Sequence, residues 1–290
     1  MRFNLTLSID KQQFGDIIPL NYQYAASALI YKILSNSGSE FSLWLHENGF
    51  QENQRRFKLF TFSRLYIPCY SIEGSYLKIL SDSIEWYISF LPERSTQEFV
   101  QGLFKEQQFF ELGDRRANIR FRVQGVEILS SPVFKETMTF KTLSPACIVR
   151  QEEDGSEKYI SPDHPDAGEI VRLNLLNKYR AFYGHDFSEE HFPFSLRALT
   201  KPRSSLITIK EGTPQESKIR GFMCRFELTA PVELMKIMYE TGLGVCLQTN
   251  VYQYGLSVLF YKHSEIVSYF CFLSPHYFVR GRLKTKIFSQ

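Results

Sequence analysis

The order of hydrophobic patterns limits the possible folds of this chain more than any single motif does. In the first ten residues, Phe3, Leu5 and Leu7 alternate with polar residues, which is typical of a half-buried strand. Helical and strand patterns then follow up to about residue 130 in the order strand, helix, strand, strand, helix, strand, and TMTFKTL (residues 137–143) opens a second series. This is the ferredoxin-like order. We therefore predict an α+β protein of two tandem ferredoxin-like (RRM-like, βαββαβ) domains.

Residues 21–65 bring three chemically capable side chains into a short span. In NYQYAASALIYKIL (residues 21–34), apolar residues at three-and-four spacing predict a helix with Tyr31 at the edge of its buried stripe. EFSLWLHENGF (residues 40–50) predicts a second helix that ends at Gly49 and carries His46 on its rim. Lys58 then opens an alternating strand.

These three residue types can cut RNA without a metal. Attack of a ribose 2'-hydroxyl on the next phosphate requires one group to accept a proton, another to protonate the departing 5'-oxygen, and a cation to stabilise the added charge. Histidine transfers protons near pH 7 because its unperturbed pKa is about 6.5. Lysine supplies the cation, and tyrosine orients or polarises the hydroxyl. Taken one at a time, such residues are more often packed or solvated without a catalytic role.

The chain resembles the CRISPR-associated endoribonucleases that cut precursor crRNA within its repeats, a branch of the RAMP superfamily. The matching text is MRFNLTLSID, IPLNYQYAASALIYKIL, LWLHENGF, FKLFTFSRL and ETMTFKTLSPACI, and the likeness extends to about residue 244. The resemblance implies a two-lobed fold and catalytic roles for Tyr31, His46 and Lys58. It also implies cleavage that leaves a 2',3'-cyclic phosphate and a 5'-hydroxyl, with no metal and no other cofactor.

The predicted domains have separate tasks. Residues 1–130 carry the catalytic residues, residues 135–262 form an RNA-binding domain with a partial Gly-rich loop, and residues 263–290 are an atypical tail. A net charge of only +3 excludes a uniformly basic surface, so RNA must be bound by local clusters. The predicted RNA-binding residues are Arg55, Arg56, Arg120, Arg122, Lys201, Arg203, Arg220, Gly242 and Gly244.

The Gly-rich segment departs from the pattern of the resembled family. Glycines after a helix let backbone N–H groups approach a phosphate, but the second Gly-apolar-Gly pair of the family is reduced here to Gly255. The tail interleaves aromatic and basic residues, which suits base stacking and phosphate contact. A shift of reading frame near Val245 is another hypothesis for both features, and translation of the other two frames of the gene tests it.

Two alternatives stay open at this stage. One is a metal-dependent phosphohydrolase, although the spacing of its candidate ligands matches no helical metal motif; these ligands are Asp163, His164, Asp166, His185, Asp186 and His191. The other is an RNA-binding subunit that holds repeat RNA without cutting it. A titrating imidazole at His46 favours the cutting enzyme, because binding alone has no need of one.

The expected partner is CRISPR repeat RNA (pre-crRNA), with a CRISPR effector complex and a second copy of the chain as further candidates. No membrane association is expected, because the chain lacks an apolar run of about 20 residues. The N-terminus shows no basic-then-apolar signal, and the five cysteines are dispersed without a CxxC pair. Both features predict a cytoplasmic protein in a reducing compartment.

Overall fold

The computed structural model describes residues 1–38, 40–53, 55–105, 109–114, 116–244 and 258–260, the last three by their backbone alone. The elements of the first lobe are β1 (Arg2–Ile9), α1 (Lys11–Phe14), β2 (Ile17–Pro19), α2 (Gln23–Asn36), α3 (Glu40–Glu47), β3 (Phe50–Glu52), β4 (Arg55–Phe57), β5 (Phe60–Phe62), β6 (Tyr70–Glu73), β7 (Tyr76–Ile79), β8 (Ser83–Phe90), α4 (Glu93–Phe104), β9 (Phe110–Gly113) and β10 (Asn118–Leu129). Those of the second lobe are β11 (Thr137–Thr142), β12 (Ile148–Gln151), β13 (Glu157–Ile160), α5 (Ala167–Tyr183), β14 (Ser195–Ala198), β15 (Arg203–Ile209), β16 (Ser217–Met223), β17 (Arg225–Thr229), α6 (Val232–Thr241) and β18 (Val258–Phe260).

The main sheet of the first lobe is antiparallel in the order β5-β8-β1-β10-β9. Strand β1 lies at its centre, and Phe3, Leu5 and Leu7 are buried because alternate residues of a strand point to the same face. The chain passes from β1 through α2 to β5 and β8, and then through α4 to β10. This is the βαββαβ order, with β9 added at one edge.

The second lobe repeats this arrangement in the sheet order β14-β17-β11-β18. Helix α5 follows β11 along the chain and α6 follows β17, while the hairpins β12–β13 and β15–β16 are inserted between the sheet strands. The predicted α+β fold of two ferredoxin-like lobes is therefore confirmed. The proposed domain boundaries at residues 130 and 135 remain predictions.

Several predicted elements differ in extent from the observed ones. Residues 218–228 carry a continuous strand-like pattern in the sequence, yet they form two strands, β16 and β17, which separate at Cys224. There the backbone N–H of Cys224 binds the Thr142 hydroxyl at 3.0 Å, and the chain changes partner from β15 to β11. The helical pattern of residues 96–111 corresponds to α4, which begins earlier, at Glu93 after the extended Pro92, and ends at Phe104.

The lobes are joined by a buried arginine near the start of the chain. The Arg2 guanidinium lies 3.8 Å from the centre of the Tyr239 ring and donates to the Tyr239 carbonyl. At a second junction, Ser144 Oγ donates to the Phe62 carbonyl at 2.9 Å. Buried apolar residues of both lobes form one continuous core.

Three further expectations from the sequence concern membrane spans, the cysteines and the segment that ends the chain. None of the helices within the described residues combines the length and the apolar character that crossing a bilayer requires. The cysteines at 69, 147 and 224 are free thiols. Gly255, the tail from residue 263 and the segment that follows Val245, where a frame shift was considered, lie outside the described residues.

Helices α2 and α4 approach each other closely at a glycine. A Cβ atom built on Gly102 of α4 would lie 1.8 Å from the carbonyl oxygen of Ile33 in α2. Only a residue without a side chain fits there, so Gly102 sets the spacing of the two helices. Helix α2 also carries Tyr31, and this spacing therefore helps to place a predicted catalytic residue.

We expect Gly102→Ala to lower the free energy of unfolding by about 1–3 kcal/mol, because the added methyl group must push two helix backbones apart. Thermal unfolding followed by circular dichroism would measure the loss. The matched control is Gly168→Ala in α5, where the nearest atom to the added Cβ is 3.9 Å away. Equal melting temperatures for the two variants would contradict the proposed role of Gly102.

Candidate active site

Tyr31 and His46, predicted from separate helices, face each other in the structure. Their ring centres are 5.1 Å apart and the rings meet edge to face, at 86°. The Tyr31 ring also packs edge-on against Phe60, with the centres 5.6 Å apart. Ser42 of α3 donates to the Tyr31 carbonyl at 3.2 Å, which ties the two helices together. His46 is exposed beside a half-buried Tyr31, so its imidazole is open to a substrate.

Lys58 lies between β4 and β5, two residues before the strand that it was predicted to open, and it binds the end of α3. Its side chain is buried, and Nζ donates to the carbonyl oxygens of Leu45 at 2.5 Å and His46 at 2.6 Å. The last carbonyls of a helix have no partner within the helix and carry partial negative charge, which a cation stabilises. Burial, together with the smaller effect of the positive charge of Arg56, lowers the pKa of the Lys58 ammonium to about 8. Lys58 thus holds the backbone of the residue that carries the imidazole.

Gly49 leaves the space through which the Lys58 side chain passes. Its φ of +62° is in the left-handed region, and its N–H donates to the Trp44 carbonyl at 2.9 Å, which ends the helix as predicted. A Cβ atom here would lie 2.6 Å from the Phe57 carbonyl oxygen and 3.4 Å from Lys58 Nζ. The sequence pattern identified Gly49 as a helix stop but gave no indication of this second role.

The predicted RNA-binding arginines of β4 lie next to this site. Strand β4 pairs with β3, which places Arg55 opposite Glu52 and Arg56 opposite Gln51. Both arginines are exposed. Arg56 Nη1 donates to the Glu47 carbonyl at 2.9 Å and so continues the cationic cap at the end of α3.

The Gly-rich segment, which was predicted to contact a phosphate, forms hydrogen bonds within the protein in this structure. Gly242, with φ of +84°, caps α6, because its N–H donates to the Met238 carbonyl at 2.8 Å. Its carbonyl accepts from Lys178 Nζ at 2.8 Å, and the Gly244 carbonyl accepts from Asn174 Nδ2 at 3.0 Å. In this structure the Gly242 N–H serves the helix end, and the contact of this segment with a phosphate stays a prediction.

Two family models match the chain in succession. The model described as CRISPR-associated protein Cas6, N-terminal, matches residues 17–127, and the one described as CRISPR associated protein Cas6, C-terminal, matches residues 129–248. The chain belongs to the Cas6 family. The two matches meet near the junction of the lobes, so the family assignment covers both.

Curated relatives and solved structures agree with the Cas6 assignment. A CRISPR-associated endoribonuclease Cas6 of Methanocaldococcus jannaschii is 28% identical over 267 residues, which span 89% of this chain and 92% of the relative. A putative CRISPR-associated endoribonuclease-like protein Cas6 of Pyrococcus furiosus is 27% identical over 237 residues, 80% of this chain and 89% of the relative. The solved structure of a Cas6-related gene product from Pyrococcus furiosus has a TM-score of 0.70 and 25% identity, and the match covers 91% of this chain and 99% of that one.

The outer face of the first lobe's sheet holds two more predicted RNA-binding arginines of this Cas6 chain. Arg120 donates to Glu111 at 2.7 Å, and its guanidinium lies 3.6 Å from the centre of the Phe14 ring. Arg122 is exposed and lies 4.5 Å from the centre of the Phe109 ring. Because Glu111 offsets the charge of Arg120, Arg122 is better placed of the two to meet a phosphate.

Lys201, Arg203 and Arg220 lie on and before the β15–β16 hairpin of the second lobe, and all three are exposed. Arg220 Nη1 donates to Ser204 Oγ at 2.8 Å, a neutral partner that leaves its charge in place. The same hairpin borders a cleft of about 1190 Å³ between the lobes. At this cleft Arg64 reaches across to Ser205 Oγ at 2.7 Å.

Sequence reasoning missed Asn174 and Lys178 of α5. Both are almost fully buried, and they stand four residues apart on one helix face. A polar pair at this spacing among apolar neighbours was the available signal, since buried polar groups need partners. Here the partners are the carbonyls of the Gly-rich segment.

The candidate metal ligands do not assemble. Within the part of the chain that the structure describes, no group of three or more His, Cys, Asp or Glu side chains is arranged to hold a metal ion. Asp166 accepts from Arg150 at 2.9 Å, and His164 Nδ1 accepts from the Asp166 N–H at 3.2 Å. His185 lies edge-on to Tyr179. The phosphohydrolase alternative therefore has no described site to support it.

The buried Lys58 predicts a pH dependence of stability. Its pKa is about 8 in the folded chain and near 10.5 in water, so between these values the unfolded chain binds more protons. The free energy of unfolding must then rise with pH across this window through Lys58. We expect the wild type to show this rise relative to Lys58→Met when urea unfolding is measured from pH 7.5 to 9.5.

The matched control is Lys158→Met, which removes an exposed lysine from β13. Its unfolding free energy should follow that of the wild type across the same pH range, because this ammonium stays in water in both states. A Lys58→Met curve parallel to the wild-type curve would show that burial does not perturb Lys58.

Proposed function

We propose that this chain is an endoribonuclease that cuts CRISPR repeat RNA through attack of a ribose 2'-hydroxyl on the adjacent phosphate. The observation that carries the proposal is that the Tyr31 ring of α2 meets the His46 ring of α3, while Lys58, between β4 and β5, binds the backbone carbonyl of His46. Two relatives named as CRISPR-associated Cas6 endoribonucleases or endoribonuclease-like proteins, matched over most of their length, support the same activity. The products are a 2',3'-cyclic phosphate and a 5'-hydroxyl, and the proposed chemistry uses no metal and no other cofactor.

His46 is the proposed proton-transfer group. Its exposed ring stands edge-on to Tyr31, which restricts the direction in which the imidazole nitrogens point. Catalysis by a positioned acid or base contributes about 10²–10⁴-fold to a rate. Tyr31 keeps the role of orienting the attacking hydroxyl.

Lys58 has two roles in this proposal, one of which is to position His46. By binding the carbonyls of Leu45 and His46, it fixes the end of α3 and with it the imidazole. In this proposal its positive charge, buried at the end of α3, also favours the negative charge that develops on phosphorus. A neutral replacement removes both effects at once.

RNA binding is assigned to both lobes. Arg55 and Arg56 lie beside the catalytic helix, Arg122 lies on the outer face of the first sheet, and Lys201, Arg203 and Arg220 line the hairpin of the second lobe. Contacts of this kind bind the phosphate backbone without reading its sequence. Residues 1–130 then supply the catalysis, and residues 135–262 supply most of the binding.

The candidate partners besides the RNA are a CRISPR effector complex and a second copy of the chain. The proposed location of the protein is the cytoplasm.

His46→Ala should retain binding of labelled CRISPR repeat RNA and lose cleavage by about 100-fold or more, because the chain then lacks its proton-transfer group. The assay contains EDTA, and a parallel substrate carries a 2'-deoxy sugar at the cut. We expect the wild type to cut the ribose substrate in EDTA and to spare the deoxy substrate. Gel shifts measure binding of the same RNA.

The control for this test is His191→Ala, an exposed histidine of the second lobe. It should cut at the wild-type rate. Binding without any cleavage by the wild type would favour the non-cutting RNA-binding subunit, and cleavage of the deoxy substrate would exclude 2'-hydroxyl attack.

The hairpin cluster predicts a salt dependence. Replacing Lys201 and Arg203 together by Gln should weaken RNA binding and reduce the slope of log Kd against log salt by about 1.4, since each phosphate contact with a single strand contributes about 0.7. Arg197→Gln is the control, because this exposed arginine is already paired with Glu227 at 2.8 Å. An unchanged slope in the double variant would remove the hairpin from the RNA-binding surface.

A further inference from the structure

An aromatic pocket lies on the side of α3 away from the Tyr31 and His46 pair. We define it by Glu40, Phe41, Trp44, Phe50, Pro92, Glu93, Arg94 and Phe182, which enclose about 550 Å³. Trp44 precedes His46 by two residues, or about 200° around the helix, so the two side chains point to nearly opposite sides. None of these residues takes part in the proposed catalysis.

The rings of the pocket form a connected series. Phe41 and Trp44 are stacked, with centres 5.5 Å apart and planes at 27°, and Phe50 meets Trp44 edge-on at 5.2 Å. Phe182 from the second lobe packs against Phe50 at 5.9 Å. The Trp44 side chain is still 37% exposed, whereas the other tryptophan, Trp86, is 1% exposed. A partly exposed indole in a cavity of this size suits one flat ligand group.

The charged groups around the rings indicate which flat group fits. The Arg94 guanidinium lies 4.7 Å from the centre of the Phe41 ring and can cover a second ring placed beside it. Glu40 and Glu93 at the rim present carboxylate oxygens, which accept hydrogen bonds and repel phosphates. A ligand with an aromatic face, an amino edge and its phosphate outside the pocket satisfies all three conditions.

We propose that the aromatic pocket binds one unpaired nucleobase of the RNA substrate, stacked on Trp44, with adenine, cytosine or guanine favoured over uracil. These three bases carry an exocyclic amino group that a carboxylate can accept from, and uracil has none. The phosphates on either side of that base then lie outside the pocket, where Arg94 is the lining cation. The inference rests on the proposed function, because it gives a second point of attachment for the RNA that His46 cuts.

The position of the aromatic pocket gives the RNA a contact with both lobes. A base stacked on Trp44 contacts the helix that carries His46, and Phe182 of the second lobe lines the same pocket. Bases stacked on protein aromatic rings contribute strongly to binding of single-stranded RNA whatever the sequence. The pocket therefore adds affinity and a preference among bases without taking part in proton transfer.

The test uses 12-residue single-stranded oligoadenylate, oligocytidylate and oligouridylate in EDTA. Because Trp86 is buried, quenching of tryptophan fluorescence by a bound base reports on Trp44. We expect oligoadenylate and oligocytidylate to quench wild-type fluorescence and to bind more tightly than oligouridylate. Trp44→Ala should bind oligoadenylate about tenfold more weakly and lose most of this preference.

The matched control is Leu43→Ala, on the same helix with a side chain that is 59% exposed and outside the pocket. It should bind all three oligonucleotides as the wild type does. Trp44→Phe keeps a ring and should keep most of the affinity, which separates stacking from folding. Glu40→Gln with Glu93→Gln should reduce the preference for adenine over uracil while leaving Trp44 in place.

Wild-type Kd for oligoadenylate in a folded Trp44→Ala variant, together with unquenched wild-type fluorescence, would overturn the pocket assignment while leaving the catalytic proposal intact. An apolar protein segment would then be the better occupant. Conversely, Trp44-dependent quenching in a chain that fails to cut repeat RNA would support the base-binding pocket and reject the catalytic assignment. The two proposals therefore fail separately.

Discussion

The contact of the Lys58 ammonium with the last carbonyls of α3 is the interaction on which the candidate site depends. It is a buried charge, and such a charge is costly unless hydrogen bonds replace water. The last carbonyls of α3 have no hydrogen-bond donor within the helix. The Lys58 ammonium donates to two of them, which replaces water for both groups and fixes the backbone of His46. Gly49 favours the contact, because a Cβ atom there would lie 2.6 Å from the Phe57 carbonyl oxygen and 3.2 Å from Lys58 Cδ.

Long periodic segments were predictable from the sequence, and short ones were not. Strand β1, helix α2 and strand β10 repeat their patterns often enough to identify their type, and the order of such segments determined the fold. Elements of three or four residues, such as β2 and β3, contain too few repeats to show any period. Their backbone bonds depend on partners far along the chain, as in the pairing of Ile17 with Lys78.

The candidate site shows the same division. Tyr31 and His46 could be placed on helix edges from spacing alone, and the family resemblance gave them roles that spacing could not. The Lys58 contact with backbone carbonyls was not predictable, because backbone atoms carry no sequence signal. For the basic residues, sequence counts charges but does not show which are paired. Arg120 and Arg197 look alike in the sequence to Arg203, yet each of the first two has a carboxylate partner.

The contact of Arg2 with Tyr239 has a consequence for the engineering of the chain. A buried guanidinium from the second residue is held by the ring and carbonyl of a residue near the end of α6, so opposite ends of the described chain complete one interior. Although the two lobes repeat one topology, they are no longer interchangeable modules. A half-length fragment would expose either the Tyr239 ring and carbonyl or the Arg2 guanidinium that they bury, so neither lobe alone completes its own interior.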